Sequence, residues 1–405
     1  MTLSAGPIVI VGAGQAGGWC AMTLRREGFA GEIIVIGDEP HPPYERPPLS
    51  KGLLTGKTPV EKTYLQPADW YAANGITLLL GARAESVDRS ERRVRLSDGR
   101  IVPYGTLVLA TGARARELPG AAPDVLHLRT IGDSAALRSR LVAGQSLTVI
   151  GAGLIGLEVA AAARELGVSV VAIEAGAYPM GRVVPRELGV HFLDIHRGRG
   201  VEILTGLSVR SMARSGGRAV LELSDGRSLV ADTVLVAIGS VPNVAIAENC
   251  GLPCDDGILV DEFGRTSDAS VWAVGDCVRL HHSLLGRRIR LETWHHAQEH
   301  AIAVAKNILG RARPYAAVPW SWTDQYDINL QIAGTPAHWD EIVWRGDPRK
   351  GPALLFQLEQ GRVVGGATLN APREMRFIRQ MIERRSAISP AILADPSVQL
   401  RTVLG

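Results

Sequence analysis

Two six-residue segments share one spacing of glycines: Gly12-Ala13-Gly14-Gln15-Ala16-Gly17 and Gly151-Ala152-Gly153-Leu154-Ile155-Gly156. That spacing does a defined job. The first glycine allows a tight turn, the second lets the backbone approach a pyrophosphate, and the third lets a helix pack close to a strand. The helix that follows offers unpaired N–H groups and the positive end of its dipole to phosphate. Such a loop also wants an acid at the end of the next strand, to accept hydrogen bonds from a ribose. Asp38, with Glu39 beside it, stands in that place for the first loop, and Glu174 for the second. One such loop is a weak signal, because glycine turns are common. Two in register, each with its acid, are a strong one.

The flanking elements agree. Residues 8–11 form an apolar β run, 18–28 a helical stretch and 32–36 a second β run. The grammar returns as a β run at 147–150, a helix at 157–166 and a β run at 168–173. Each copy closes alike, through Leu107-Val108-Leu109-Ala110-Thr111-Gly112 and Leu235-Val236-Ala237-Ile238-Gly239. Each closing run follows a hairpin signal, Ser97-Asp98-Gly99 or Ser224-Asp225-Gly226. Val271-Trp272-Ala273-Val274-Gly275-Asp276 and a helical pattern at 297–309 come next. From Pro314 the character changes: β-like segments lie at 330–333, 341–345, 353–359 and 363–369, and a helix at 373–384.

The expected fold is α/β, with two Rossmann-like dinucleotide-binding domains and a C-terminal α+β domain. The expected domains are a first nucleotide-binding domain in two segments, 1–113 and 241–315, a second at 114–240, and the α+β domain at 316–405. The interrupted first domain reads as a duplication, with one copy inserted into the other.

Composition narrows the classes. Of 405 residues, 46% are hydrophobic and 21% charged, which is ordinary for a globular protein. A net charge of +3 gives no reason to propose nucleic-acid binding. The opening residues lack the basic and apolar regions of a leader peptide, and the apolar runs are strand-sized, so no membrane span is expected. Four cysteines, Cys20, Cys250, Cys254 and Cys277, fit free thiols in a cytoplasmic protein. Cys250 and Cys254 are separated by three residues, not the two of a thioredoxin-like motif, and read as structural. The pairs His281-His282 and His295-His296 are sequence neighbours whose side chains point apart, so no metal site is expected.

Two dinucleotide sites in one chain have a natural use. One holds a flavin and the other takes a diffusible nicotinamide. A flavin converts hydride delivery into single-electron delivery. Glu174 would accept from both ribose hydroxyls and repel a 2′-phosphate, which favours NADH over NADPH. Arg182 would reverse that preference if it folded back.

The two loops, Pro43-Tyr44-Glu45-Arg46-Pro47-Pro48-Leu49-Ser50-Lys51, Leu109–Gly112, Val274-Gly275-Asp276 and Pro319-Trp320-Ser321-Trp322-Thr323-Asp324-Gln325 together resemble the FAD-dependent ferredoxin reductases of bacterial oxygenase systems. The resemblance covers essentially the whole chain, and Pro-Pro-Leu-Ser-Lys is its most specific segment. It implies that Ala16, Asp38, Glu39, Arg46, Lys51, Ala84, Ala110, Thr111, Gly112, Arg129, Asp276 and Trp294, with Gly12, Gly14 and Gly17, hold FAD. It implies that Gly151, Gly153, Ile155, Gly156, Glu158, Glu174 and Gly239 hold NADH. Lys51 and Glu158 are the implied catalytic pair: a cation beside the flavin ring, and a glutamate in the first helical turn that faces the nicotinamide. An ordinary surface lysine and a glutamate complementing the helix dipole are the competing readings.

The implied activity is hydride transfer from NADH to FAD, then single-electron transfer to a [2Fe-2S] ferredoxin. That ferredoxin would serve a Rieske-type dioxygenase or a cytochrome P450. Candidate docking residues for an acidic ferredoxin are Arg287, Arg288 and Arg290, and Arg373, Arg376 and Arg379 on the last helix; a solvated basic face explains them equally well. Trp294, Trp320 and Trp322 either cover the flavin edge or pack the last domain. Two other functions stay open: reduction of a small acceptor such as a quinone, and redox sensing of the apoptosis-inducing-factor kind.

Overall fold

The computed structural model describes residues 6–121 and 124–404; the opening residues 1–5, part of the leader-peptide reading, lie outside it. Contacts divide the chain into two units. One comprises Met1–Arg46, Val60–Arg114 and Val241–Pro319, the other Pro47–Pro59, Ala115–Ser240 and Trp320–Gly405.

In the first unit the strand Ile8–Val11 is buried along its whole length. Four consecutive β-branched residues suit a strand covered on both faces, as in a parallel sheet. It pairs in parallel with Ile33–Ile36 on one side and with Thr106–Leu109 on the other. Ile76–Leu79 and Val271–Ala273 complete the five-stranded sheet at its two ends. The helices Gln15–Arg26 and Trp294–Ile308 pack on each other within a core that also holds Ile8, Ile10 and Val108. A three-stranded antiparallel sheet, built from Ala84–Asp88, Arg93–Leu96 and Ile101–Pro103, carries the hairpin at Asp98.

The second unit repeats this frame. The strand Ser146–Ile150 lies in parallel between Ser169–Glu174 and Thr233–Val236, and Val201–Thr205 extends the sheet. The antiparallel sheet Val209–Ser215, Arg218–Leu223 and Ser228–Ala231 is the counterpart of the one above. Five further antiparallel strands follow in the order Trp320–Gln325, Ile328–Ala333, Arg362–Leu369, Ala353–Glu359, Glu341–Arg345. The helix Met375–Arg384 packs on that sheet, with Ile378 against Gly366. Leu330, Leu355 and Ala367 share one buried core with Val149, Leu157 and Phe192.

Several expected boundaries move. The two loop helices begin earlier than the 18–28 and 157–166 expected, at Gln15 and Leu154. The last glycine of each motif lies inside the helix: a Cβ on Gly17 would come within 1.9 Å of the Gly12 carbonyl oxygen, and one on Gly156 within 2.0 Å of that of Gly151. Close packing, not loop flexibility, is what these glycines supply. The helix expected at 373–384 starts at Met375, so Arg373 precedes it, and two short helices, Pro390–Ala394 and Leu400–Val403, follow. Trp320 and Trp322 lie on the strand Trp320–Gln325, which precedes the first β segment expected in this region, at 330–333. No helix among the described residues is long and apolar enough to cross a membrane, and no cluster there could hold a metal ion.

Candidate flavin and nicotinamide sites

The first glycine loop turns directly off the strand Ile8–Val11. Gly12 has φ +118, and a Cβ there would lie 2.1 Å from the Ala110 carbonyl oxygen. A glycine is therefore required, and Ala110 closes one side of the turn. Gly14 precedes a helix that has no side-chain cap, so the helix start is open to an anion. Facing Gly14, the nearest atom to an added Cβ is a guanidinium nitrogen of Arg46, at 3.7 Å.

Arg46 is held in turn. It bonds the Glu39 carboxylate at 3.1 Å and the Tyr44 hydroxyl at 2.9 Å, and that hydroxyl donates to Glu39 at 2.7 Å. Asp276 acts electrostatically on the same guanidinium. Glu39, and not the solvent-exposed Asp38, is thus the acid engaged with other side chains at the end of this strand. The turn carrying Asp276 meets the loop helix closely: Gly275 has φ +79, and its Cβ would fall 2.8 Å from that of Ala16. Thr111 donates to the Asn243 carbonyl at 2.6 Å, and the Gly112 carbonyl accepts from Asn243 at 2.9 Å. Trp294 opens its helix; its carbonyl accepts from Gln15 at 3.0 Å, and its side chain bonds Glu45. Ala84 begins the antiparallel sheet of this unit. Arg129 belongs to the second unit, where its backbone N–H bonds Asp133 at 2.9 Å just before the helix Ile131–Arg140.

The second loop has the same backbone and different furniture. Gly151 has φ +101, and its Cβ would come within 2.5 Å of the Ala237 carbonyl oxygen. Gly153 precedes another helix without a side-chain cap, and an added Cβ would meet nothing within 4 Å. Ile155 is 44% exposed beside it, high for an isoleucine. Glu174 closes the strand Ser169–Glu174, and its oxygens accept from the backbone N–H groups of Ala152 at 2.9 Å and Gly176 at 2.7 Å. That carboxylate therefore fixes the loop itself. Arg182 forms no ion pair with Glu174 among the described residues; its guanidinium folds over Gly239, 2.8 Å from where a Cβ would stand.

Lys51 and Glu158 both lie in the second unit and meet there. The Lys51 ammonium is 2.7 Å from a Glu158 oxygen, with the glutamate side chain only 3% exposed and the lysine 21%. Thr323 donates to the same carboxylate at 2.6 Å, and the Ser50 hydroxyl donates to its other oxygen. A buried carboxylate with a cation and two hydroxyls is fully satisfied, which the cost of burying charge demands. Glu158 is the fifth residue of its helix, not in the first turn as expected, so a dipole role at the helix start does not account for it. A cavity of about 600 Å³, lined in part by Lys51, Glu158, Asp324 and Tyr326, opens beside the pair.

Other candidates are placed less centrally. Arg287, Arg288, Arg373 and Arg376 are exposed. Arg290 is tied to Asp256 at 3.3 Å and to Glu292, so its charge is already engaged, unlike a free docking cation. Arg379 lies 5.9 Å over the Trp320 ring, and Trp320 and Trp322 stack 5.2 Å apart. All four cysteines are free. Burial pushes the Cys254 thiol up to about 11 and Cys20 to about 12, opposite to the low values of reactive thiols. Sequence reading assigned no role to Tyr44, Ser50 or Thr323, although all three lie in segments that it singled out.

Comparison with known proteins agrees with this geometry. Residues 6–301 match the family described as pyridine nucleotide-disulphide oxidoreductase, and residues 320–404 match the reductase C-terminal family. The anthranilate 1,2-dioxygenase system ferredoxin–NAD(+) reductase component of Burkholderia cepacia is 42% identical over 99% of this chain and 100% of its own. Putidaredoxin reductase of Pseudomonas putida is 39% identical over 98% of this chain and 96% of its own. The crystal structure of the covalent putidaredoxin reductase–putidaredoxin complex superposes with a TM-score of 0.95 at 38% identity, covering 99% of this chain and 98% of that one. On this evidence the chain belongs to the pyridine nucleotide-disulphide oxidoreductase family.

Proposed function

We propose that this chain is an NADH-dependent ferredoxin reductase, with FAD resident at the first glycine loop and NADH exchanging at the second. The observation that carries the reading is the pair of uncapped, glycine-floored helix starts in one chain, each fitted to a pyrophosphate. The relatives named above, similar over their whole length, support it. When bound, FAD supplies the conversion between a two-electron donor and a one-electron acceptor.

The protein's own residues have distinct tasks in this reading. Gly12, Gly14 and Gly17 admit the FAD pyrophosphate, and Arg46, held by Glu39 and Tyr44, adds a fixed positive charge beside it. Ala16, Asp38, Ala84, Ala110, Thr111, Gly112, Asp276, Trp294, Arg129 and Lys51 are the other flavin residues of this reading. Glu174 receives the adenosine ribose of NADH, with Gly151, Gly153, Ile155, Gly156 and Gly239 forming the bed. Because Arg182 lies over Gly239 and not against Glu174, the acid keeps its negative field, which disfavours a 2′-phosphate. Lys51 offers a cation where negative charge develops, and Glu158 holds that cation in place.

The electron acceptor is an acidic [2Fe-2S] ferredoxin that serves an oxygenase, docking on exposed arginines such as Arg288, Arg373 and Arg376. We place the enzyme in the cytoplasm, where NADH is available. The test is steady-state reduction of cytochrome c by NADH with and without added ferredoxin. Turnover that depends on ferredoxin supports the reading. Turnover with a quinone alone, and none through any ferredoxin, overturns it in favour of a small-molecule reductase.

A further inference from the structure

The first unit buries a group of histidines that neither loop explains. His282, His296 and His300 are each 0% exposed, and His295 is 7% exposed. The rings of His296 and His300 stack with centroids 4.9 Å apart, and Tyr315 lies within 5.0–5.5 Å of His282, His296 and His300. The His296 Nδ1 bonds the Tyr315 hydroxyl at 3.1 Å, and the His282 Nε2 bonds the Ala317 carbonyl at 3.1 Å. These contacts anchor the cluster on its far side from the loop.

On its near side the cluster meets the turn that carries Asp276. The Gly275 N–H donates to the Nδ1 of His300 at 3.3 Å, and the backbone of Gly275 also acts on His296. Gly275 is pressed from the other direction by Ala16, whose Cβ would be 2.8 Å from a Cβ at that position. The turn is thus gripped between the loop helix Gln15–Arg26 and the helix Trp294–Ile308. With Nδ1 accepting, the ring proton must sit on Nε2, which has no hydrogen-bond partner among the described residues. A leucine would fill similar space without that unpaired N–H. What the imidazole adds is one acceptor, aimed at Gly275.

We propose that His300 is a positioning residue for the flavin: its neutral Nδ1 fixes the Gly275 amide, and so aims Asp276 from the buried core of the first unit. The stack with His296 and Tyr315 orients the ring. His282 and His296, with Tyr315, are the titratable groups that face it; burial first, and then the two neighbouring imidazoles, penalise a proton on His300. The inference rests on the first loop holding FAD.

The test is FAD binding to the apoprotein, measured by quenching of flavin fluorescence, with the visible circular dichroism of the bound flavin as a second readout. His300→Leu removes the acceptor, and His300→Asn restores an oxygen near the place of Nδ1. We expect His300→Leu to weaken FAD at least tenfold and to alter the dichroism, and His300→Asn to recover most of both. Equal affinity in His300→Leu and wild type would overturn the proposal, as would equal losses in the two variants, which would mean packing alone. Should both variants fail to fold, ¹⁵N spectra of the wild-type holoprotein decide. An unprotonated Nδ1 on His300, coupled to the Gly275 amide, is expected; a protonated Nδ1 contradicts it. If wild-type apoprotein takes up no FAD, the functional reading fails first.

Discussion

The two glycine loops are built on one backbone and finished differently. Gly12 and Gly151 both have positive φ and both press on the carbonyl of the neighbouring strand. Gly17 and Gly156 both pack on the first glycine of their own motif. The difference begins at the middle glycine. Gly14 faces Arg46, itself bound to Glu39 and Tyr44, whereas Gly153 faces open space beside an exposed Ile155. The first loop is closed off at its middle glycine by Arg46 and carries that fixed charge. The second is open, and its acid fixes the loop through the Ala152 and Gly176 N–H groups. Enclosure suits a resident cofactor and openness an exchanging one.

The largest expected effect concerns the Lys51–Glu158 pair of the second unit. Lys51→Met leaves the Glu158 carboxylate without its cation, and breaking a buried pair this way costs about 3–5 kcal/mol. Denaturant unfolding should show that loss in Lys51→Met and a partial recovery in Lys51→Met/Glu158→Gln. Additive losses would mean that the two residues do not act as a pair.

The two strand-end acids come next. Glu174→Ala removes the acceptor of two backbone N–H groups, each such bond to a charged group being worth about 1.5–3 kcal/mol. The KM for NADH should rise about tenfold or more, with the flavin retained. Glu39→Gln should do the reverse, loosening FAD and leaving NADH affinity alone. Asp38→Asn, at an exposed position, should stay within about 0.5 kcal/mol of wild type in either assay. A large effect of Asp38→Asn with none from Glu39→Gln would assign the role at that strand end to Asp38 instead.

Acid should separate the units as well. Burial holds His296 down to about 3, and holds His282 and His300 below 6.5, all in the first unit. The unfolded chain binds these protons and the folded one does not. Stability is therefore complete above pH about 6.5 and declines as pH falls through that value toward about 3. In the second unit burial also lowers His196 and His191, but without a stacked histidine cluster among the described residues. Thermal unfolding between pH 7 and 4 should show flavin released ahead of the loss of NADH-domain secondary structure. Simultaneous loss at every pH would mean that the histidine cluster does not set the acid limit.

How much of this was legible follows from distance along the chain. The loops, their acids and strands such as Glu341–Arg345 and Ala353–Glu359 are local patterns, and periodicity alone marks them. Lys51 and Glu158 became a pair only through a family resemblance, since nothing local joins them. Thr323 reaches Glu158 across 165 residues, and Ser50 across 108. No spacing rule encodes such a bond. Which of Asp38 and Glu39 bonds Arg46 and Tyr44 is set by the fold, and two adjacent acids in a sequence do not reveal it. The histidines were read as adjacent pairs and dismissed as ligands. Their stack joins His296 to His300, four residues apart on one helix face, a spacing that adjacency along the chain does not show.

The unequal loops can be tested by placing the same lesion in each. Gly17→Ala and Gly156→Ala meet nearly identical obstacles, at 1.9 and 2.0 Å, so the chemistry of the site and not the severity of the clash decides the outcome. The measurement is FAD content after gel filtration, followed by anaerobic titration with NADH. Gly17→Ala should emerge colourless, and Gly156→Ala yellow but resistant to bleaching by NADH. A yellow Gly17→Ala that fails to respond to NADH, beside a colourless Gly156→Ala, would reverse the assignment of the two loops.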